Sequence, residues 1–182
     1  RVVGQAQRAL QVRRVLRAAL EAHPPEDRVR SLQRLRQLLR QRDQRLTEGH
    51  RLLLLGPETT NLAGSRWAAD RGARGGALDP LAYEVHSAVA DVVRALVTGR
   101  LASGVHDVSV GGVGLALAEM AVRSGVGFSV ARIADHRALF AEGPSRVVVA
   151  VAPEVLANVV AMAEHAGVAV ARLGLATGDR LV

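Results

Sequence analysis

Only four aromatic residues, Trp67, Tyr83, Phe128 and Phe140, occur in this chain of 182, and that scarcity limits the core it can build. Hydrophobic residues make up 49% of the sequence, enough for the core of one ordinary domain. That core must be packed from Ala, Val and Leu. Small aliphatic side chains suit helices laid on a sheet and disfavour an aromatic-cored sandwich. The expected class is α/β or α+β, a mixed sheet with a layer of helices packed on it.

What the chain lacks narrows its chemistry. There is no cysteine, which excludes disulfides, thiolate zinc sites and cysteine nucleophiles. All 24 basic residues are arginine, which removes P-loop and Schiff-base readings. No apolar run approaches the roughly 20 residues that span a bilayer. Nothing near Arg1 has the form of a cleavable signal. A cytoplasmic location without a membrane partner is expected. Arg1 is not a natural start, so the chain is expected to be part of a longer protein.

Charge divides the sequence. Residues 1–50 hold 12 Arg and 5 acidic residues, whereas residues 51–182 hold 12 of each, so the whole net charge of +7 lies in the first part. The boundary near Glu48-Gly49 separates an arginine-rich helical segment, 1–48, from a second region, 49–182. Gln7 to Ala22 and Glu26 to Leu46 have roughly helical apolar spacing, and His23-Pro24-Pro25 separates them because proline ends a helix. The heptad is not clean enough for a coiled coil. Arginine-rich helices can neutralise phosphates, which makes a binding arm for RNA or an acidic partner the alternative function. The arm carries no aromatic residue to stack a base and mixes acids among its arginines, so nucleic acid is not the expected partner. A further reading takes 1–48 as an out-of-frame translation, not native to the protein. Translating the other two frames tests it.

The second region is punctuated by Gly and Pro. The strands expected are Arg51–Leu55, closed by Gly56-Pro57; Ala102 to Val110, running into a turn; Gly127 to Ile133; Arg146 to Val151; and Val168 to Leu175. A long loop covers Glu58 to Leu78, with one helical turn near Trp67. Asp79-Pro80 reads as an N-cap followed by proline at the first helical position. That helix should run to Val97. Further helices are expected from Val113 to Arg123 and from Ala152-Pro153 to His165, with Leu139 to Pro144 as a connection.

One segment stands out chemically: His106-Asp107-Val108-Ser109-Val110-Gly111-Gly112, followed at once by a helix. Adjacent glycines permit positive φ and close approach of the backbone to a ligand. The helix behind them offers unpaired N–H groups and the positive end of its dipole, which suits phosphate. Ser109 adds a hydroxyl donor. Asp107 fixes the loop or helps hold a metal ion on the phosphate, and His106 can donate a hydrogen bond to the phosphate or substrate. The competing reading is a capped helix start with ordinary loop hydrogen bonds. Elsewhere His86, His136 and His165 lack metal-ligand spacing. Glu142 and Arg146 read as a local ion pair rather than a catalytic dyad.

The order His-Asp-x-Ser-x-Gly-Gly, an alanine-rich helix, then Gly125 to Val130 resembles the final domain of the phosphoribosylformylglycinamidine synthase family. The flanks agree: Leu53-Leu54-Leu55-Gly56 with Gly64-Ser65, Leu139-Phe140-Ala141-Glu142 with Ser145 to Val149, and Leu173-Gly174 with Gly178 to Leu181. The resemblance spans residues 49–182. It implies the fold of the aminoimidazole ribonucleotide (AIR) synthetase C-terminal domain. It also implies a ligase that amidates formylglycinamide ribonucleotide with ATP, Mg²⁺ and ammonia. ATP activates the amide oxygen as a phosphoryl imidate, and ammonia displaces phosphate. The implied partners are a glutaminase subunit or domain and a small accessory subunit. Phosphate recognition falls on His106, Asp107, Ser109, Gly111 and Gly112, with Asp107 at the metal. The principal catalytic residues belong to an ATP-binding part that 1–48 does not resemble. Two positions depart from the family pattern: Val110 replaces a usual aspartate and Ala141 a usual glycine.

Overall fold

Two strands carry unbroken apolar runs: Arg51–Leu55 (β1), apolar from Leu52 onward, and Val147–Val151 (β4), apolar throughout. Unbroken apolar runs of this length belong to strands covered on both faces. The computed structural model describes residues 45–179, and within them β1 and β4 pair at the centre of a five-stranded sheet. The other strands are Ala102–Asp107 (β2), Phe128–Val130 (β3) and Val170–Ala176 (β5), giving the order β2-β4-β1-β5-β3. All four pairings are antiparallel, so the mixed sheet expected from the sequence is corrected. Arg51 faces Val151 and Leu55 faces Val147 across the central pair. The register shifts once between β1 and β5, at Leu52/Leu53.

Helices are Arg66–Asp70 (α1), Tyr83–Thr98 (α2), Gly112–Ser124 (α3), His136–Phe140 (α4) and Leu156–His165 (α5), the last preceded by a 3₁₀ turn at Pro153–Val155. Alternation along a strand sends successive side chains to opposite faces. Leu52, Leu54, Val148 and Ala150 form one core with Val113, Ala116, Leu117 and Met120 of α3. Leu53, Leu55, Val149 and Val151, also buried, point the other way. There α2, which contacts β2, and α5, which contacts β5, meet each other and bury Val89, Val92, Val93 and Val159. Helices therefore cover both faces, not one. The class is α+β, as expected.

Several local readings change. Asp79 does not cap α2, which starts at Tyr83 behind Ala82 without a side-chain cap. The Asp79 carboxylate instead accepts from Asn61 Nδ2 at 2.7 Å. Asn61 organises the long loop: its Nδ2 also donates to the Ala77 carbonyl, its Oδ1 accepts from Ala63 N, and its own N–H donates to Thr59 Oγ1. The strand expected over 127–133 keeps only three residues. After it Asp135 caps a helix unforeseen in the sequence, accepting from the amides of Arg137 and Ala138 and ending at the expected connection. Those two amides, Ala138 first, hold the Asp135 carboxyl below its usual range. The helices expected between Gln7 and Leu46 lie outside the described residues except at their end. There Leu46 is not helical and packs into the core. Arg180 and Leu181 of the expected closing segment also lie outside.

Candidate anion site at the start of α3

The turn after β2 is built by glycine. Gly111 takes a left-handed conformation (φ 83) as the residue before α3, and Gly112 follows at φ 67. A Cβ on Gly112 would lie 2.5 Å from the Leu139 carbonyl oxygen and 2.8 Å from the Phe140 backbone, so the end of α4 seats directly on the turn. Gly112 N donates to the Ser109 carbonyl and Leu115 N to that of Gly111. The amides of Val113 and Gly114, at the first turn of α3, have no backbone acceptor among the described residues. They are the unpaired donors that the start of a helix supplies.

A carboxylate already sits at this turn. Glu142 Oε1 accepts from Gly111 N at 2.9 Å and from Arg66 N, the first amide of α1, at 2.6 Å. One oxygen thus joins two loops that are distant in sequence. The loop that carries it is held from within. Ala141 is buried, its N–H donates to the Arg137 carbonyl, and its own carbonyl accepts from Arg146 Nη1 at 2.8 Å. Gly143 has no room for a side chain, because a Cβ would lie 2.7 Å from Thr59 Cγ2. Ser145 is left-handed (φ 60), with its Oγ 3.1 Å from His86 Nδ1.

Arg146 is 4% exposed, and its Nε has no hydrogen-bond partner among the described residues. Burial lowers its pKa, and the charges of Asp79 and Glu58 oppose that shift. The local Glu142–Arg146 ion pair read from their spacing is corrected: Glu142 turns to the two amides, and Arg146 to the Ala141 carbonyl.

The other sequence candidates divide by exposure. His106 is buried; its Nδ1 donates to the Asp107 carbonyl at 2.8 Å, and its Nε2 lies 3.0 Å from Glu119 Oε2. Both ring nitrogens are engaged inside the domain, where His106 ties the loop to α3. Asp107 is half-exposed and Ser109 is exposed. Val110 is exposed and is not among the positive-φ residues, so its backbone conformation is open to valine. Ala141 at φ −66 has no need of glycine's freedom. Beside the turn an open groove of about 350 Å³ is lined by Gly111, Gly114, Leu115, Phe140, Arg66 and Trp67. Trp67 has His136 stacked on it and Arg71 over its ring. Among the described residues no group of three or more His, Cys, Asp or Glu could hold a metal ion, and no helix is long and apolar enough to cross a membrane.

Residues 47–182 match the family described as AIR synthase related protein, C-terminal domain. The chain belongs to that family. A subunit PurL of phosphoribosylformylglycinamidine synthase from Methylocella silvestris is 39% identical over 137 residues, covering 73% of this chain and 19% of that protein. The structure of T. maritima PurL complexed with FGAR superposes at a TM-score of 0.64 with 16% identity, covering 78% of this chain and 26% of that one. T. maritima PurL complexed with ATP superposes at 0.61 with 14% identity, over 78% and 24%. The chain thus spans about a fifth of the length of the curated relative it matches. Membership in the AIR synthase related C-terminal domain family does not favour the alternative of an arginine-rich binding module, whose arm lies outside the described residues. Within this domain, the meeting of Glu142 with the Gly111 and Arg66 amides was not read from the sequence. A glutamate and a main-chain amide carry no local signature, and only the fold brings them to Gly111.

Proposed function

We propose that this chain is the closing domain of a formylglycinamidine ribonucleotide synthase and that the turn from His106 to Gly112 receives the substrate's phosphate. The observation that carries the reading is the start of α3, where the Val113 and Gly114 amides are unpaired among the described residues and a carboxylate already occupies the neighbouring Gly111 N–H. Such a place takes oxyanions. Gly111 and Gly112 give backbone access, Ser109 adds an exposed hydroxyl, and Asp107 and His106 hold the loop. ATP binding, the chemical step and its principal catalytic residues belong to the rest of the longer protein. That protein amidates formylglycinamide ribonucleotide in the cytoplasm, with ammonia from a glutaminase subunit or domain and with a small accessory subunit. Mg²⁺ neutralises phosphate charge in such chemistry. Asp107 can give one ligand, but the described residues offer no set that would hold the ion alone.

Ammonia-dependent ADP release with formylglycinamide ribonucleotide tests the division of labour. The 182-residue chain alone is expected to show no turnover. Substrate-dependent turnover above background would overturn the reading.

A further inference from the structure

The Glu142 carboxylate occupies the donors that a phosphate oxygen would use. Its Oε1 receives the Gly111 and Arg66 amides from two different loops at 2.9 and 2.6 Å, as a bound oxyanion would. The backbone on either side is fixed. Ala141 is tied through its N–H and its carbonyl, and Gly143 is wedged against Thr59 and Asp79. Glu142 itself is half-buried, and among the described residues its Oε2 has no hydrogen-bond partner. The side chain can therefore rotate away without moving the loop that bears it.

We propose that Glu142 is an internal stand-in for the ligand anion, which satisfies the Gly111 and Arg66 amides in the free protein and is displaced when a phosphate monoester binds. The inference rests on the phosphate site proposed above and adds the residue that sets its affinity. Leaving the half-buried Gly111 amide unpaired is costly, and the same oxygen also holds the amide of exposed Arg66, so the carboxylate keeps the two loops in register until a ligand arrives. Exchange replaces one anion by another on the same donors. A ligand of low charge gains little by it, whereas a phosphate with further oxygens can also reach the Val113 and Gly114 amides. Glu142 is in this sense a positioning and specificity-determining residue; it takes no part in the chemical step.

Titration of the ¹⁵N-labelled 182-residue chain with inorganic phosphate, followed at the Gly111 and Arg66 amide resonances, tests it. Glu142→Gln keeps the shape and an acceptor oxygen but removes the charge that competes with phosphate; Glu142→Ala empties the site. Both are expected to bind phosphate more tightly than wild type, Glu142→Ala by about tenfold, with the two resonances responding. If Glu142→Ala does not fold, Glu142→Gln decides. Folded variants that bind phosphate at these amides no more tightly than wild type would overturn the stand-in while leaving the phosphate site in place. If neither wild type nor variant responds at Gly111 and Arg66, the phosphate site falls and the stand-in with it.

Discussion

The centre of the sheet and the loops at the start of α3 are held in opposite ways. In β1 and β4 nearly every side chain is buried, each against several others on both faces, so the arrangement is secured many times over. In the loops, placement depends on single polar groups. Asn61 organises residues 59–79, Arg146 fixes Ala141, and Glu142 joins Gly111 to Arg66. The core tolerates small errors in any one residue at a graded cost. The site changes its geometry when one group is lost.

Truncation in the core should give the largest loss of stability. Leu53→Ala removes a fully buried side chain and is expected to cost about 2–5 kcal/mol in chemical denaturation. The Gly111 amide resonance of the folded fraction should stay in place, which separates core from site. Next comes Arg146→Met, which leaves the Ala141 carbonyl without its donor and Asp79 without a neighbouring cation. It should cost roughly 1–3 kcal/mol and should shift the Gly111 and Arg66 resonances. An unmoved pair would show that the loop holds Glu142 without Arg146.

Gly111→Val is smaller still in stability, roughly 1–2 kcal/mol for a left-handed residue with a side chain. It also brings a Cβ to 2.6 Å from that of Leu115. Here the order of effects should reverse, because phosphate binding by calorimetry is expected to disappear although the fold survives. Normal binding by this variant would reduce the turn to a structural cap.

The smallest effect lies at the far side of the sheet. His50 donates from Nδ1 to Ser103 Oγ at 2.7 Å, and burial lowers its pKa below 6.5 against the opposing charge of Glu154. A lowered histidine pKa means that the unfolded chain takes the proton more readily. The contribution is therefore complete above pH 6.5 and is lost as pH falls through the folded value. His50→Gln should flatten stability against pH in that window, measured by thermal melts. An unchanged slope would remove His50 from the account.

The same contrast explains what could be read in advance. Leu52 to Leu55 and Val147 to Val151 announce strands because composition alone decides them. Gly111-Gly112 and Ser124-Gly125 bracket α3 because glycine is required at left-handed positions. The four-residue apolar run also carried the signal for two covered faces. Asp135 was legible as a cap in principle, since its carboxylate acts on its own next turn. Asp79 shows the converse: with proline behind it, it looks like a cap, yet a tertiary partner at Asn61 takes its carboxylate. Glu142 was not legible. Its partners are 31 and 76 residues away, and both are main-chain groups that any residue could supply.

The strand order has a consequence for the chain while it is being made. Among the described residues β1 pairs with β4 and β5, so Leu55 waits for Val147 and Val170 to be synthesised. At about 5–20 residues per second, the roughly ninety residues between β1 and β4 take on the order of 5–20 s to appear. During that interval a run of four leucines has no strand to pair with and is a natural binding segment for a chaperone. Pairings so distant in sequence also slow folding. The sheet that makes the finished domain secure is therefore its point of greatest exposure on the ribosome.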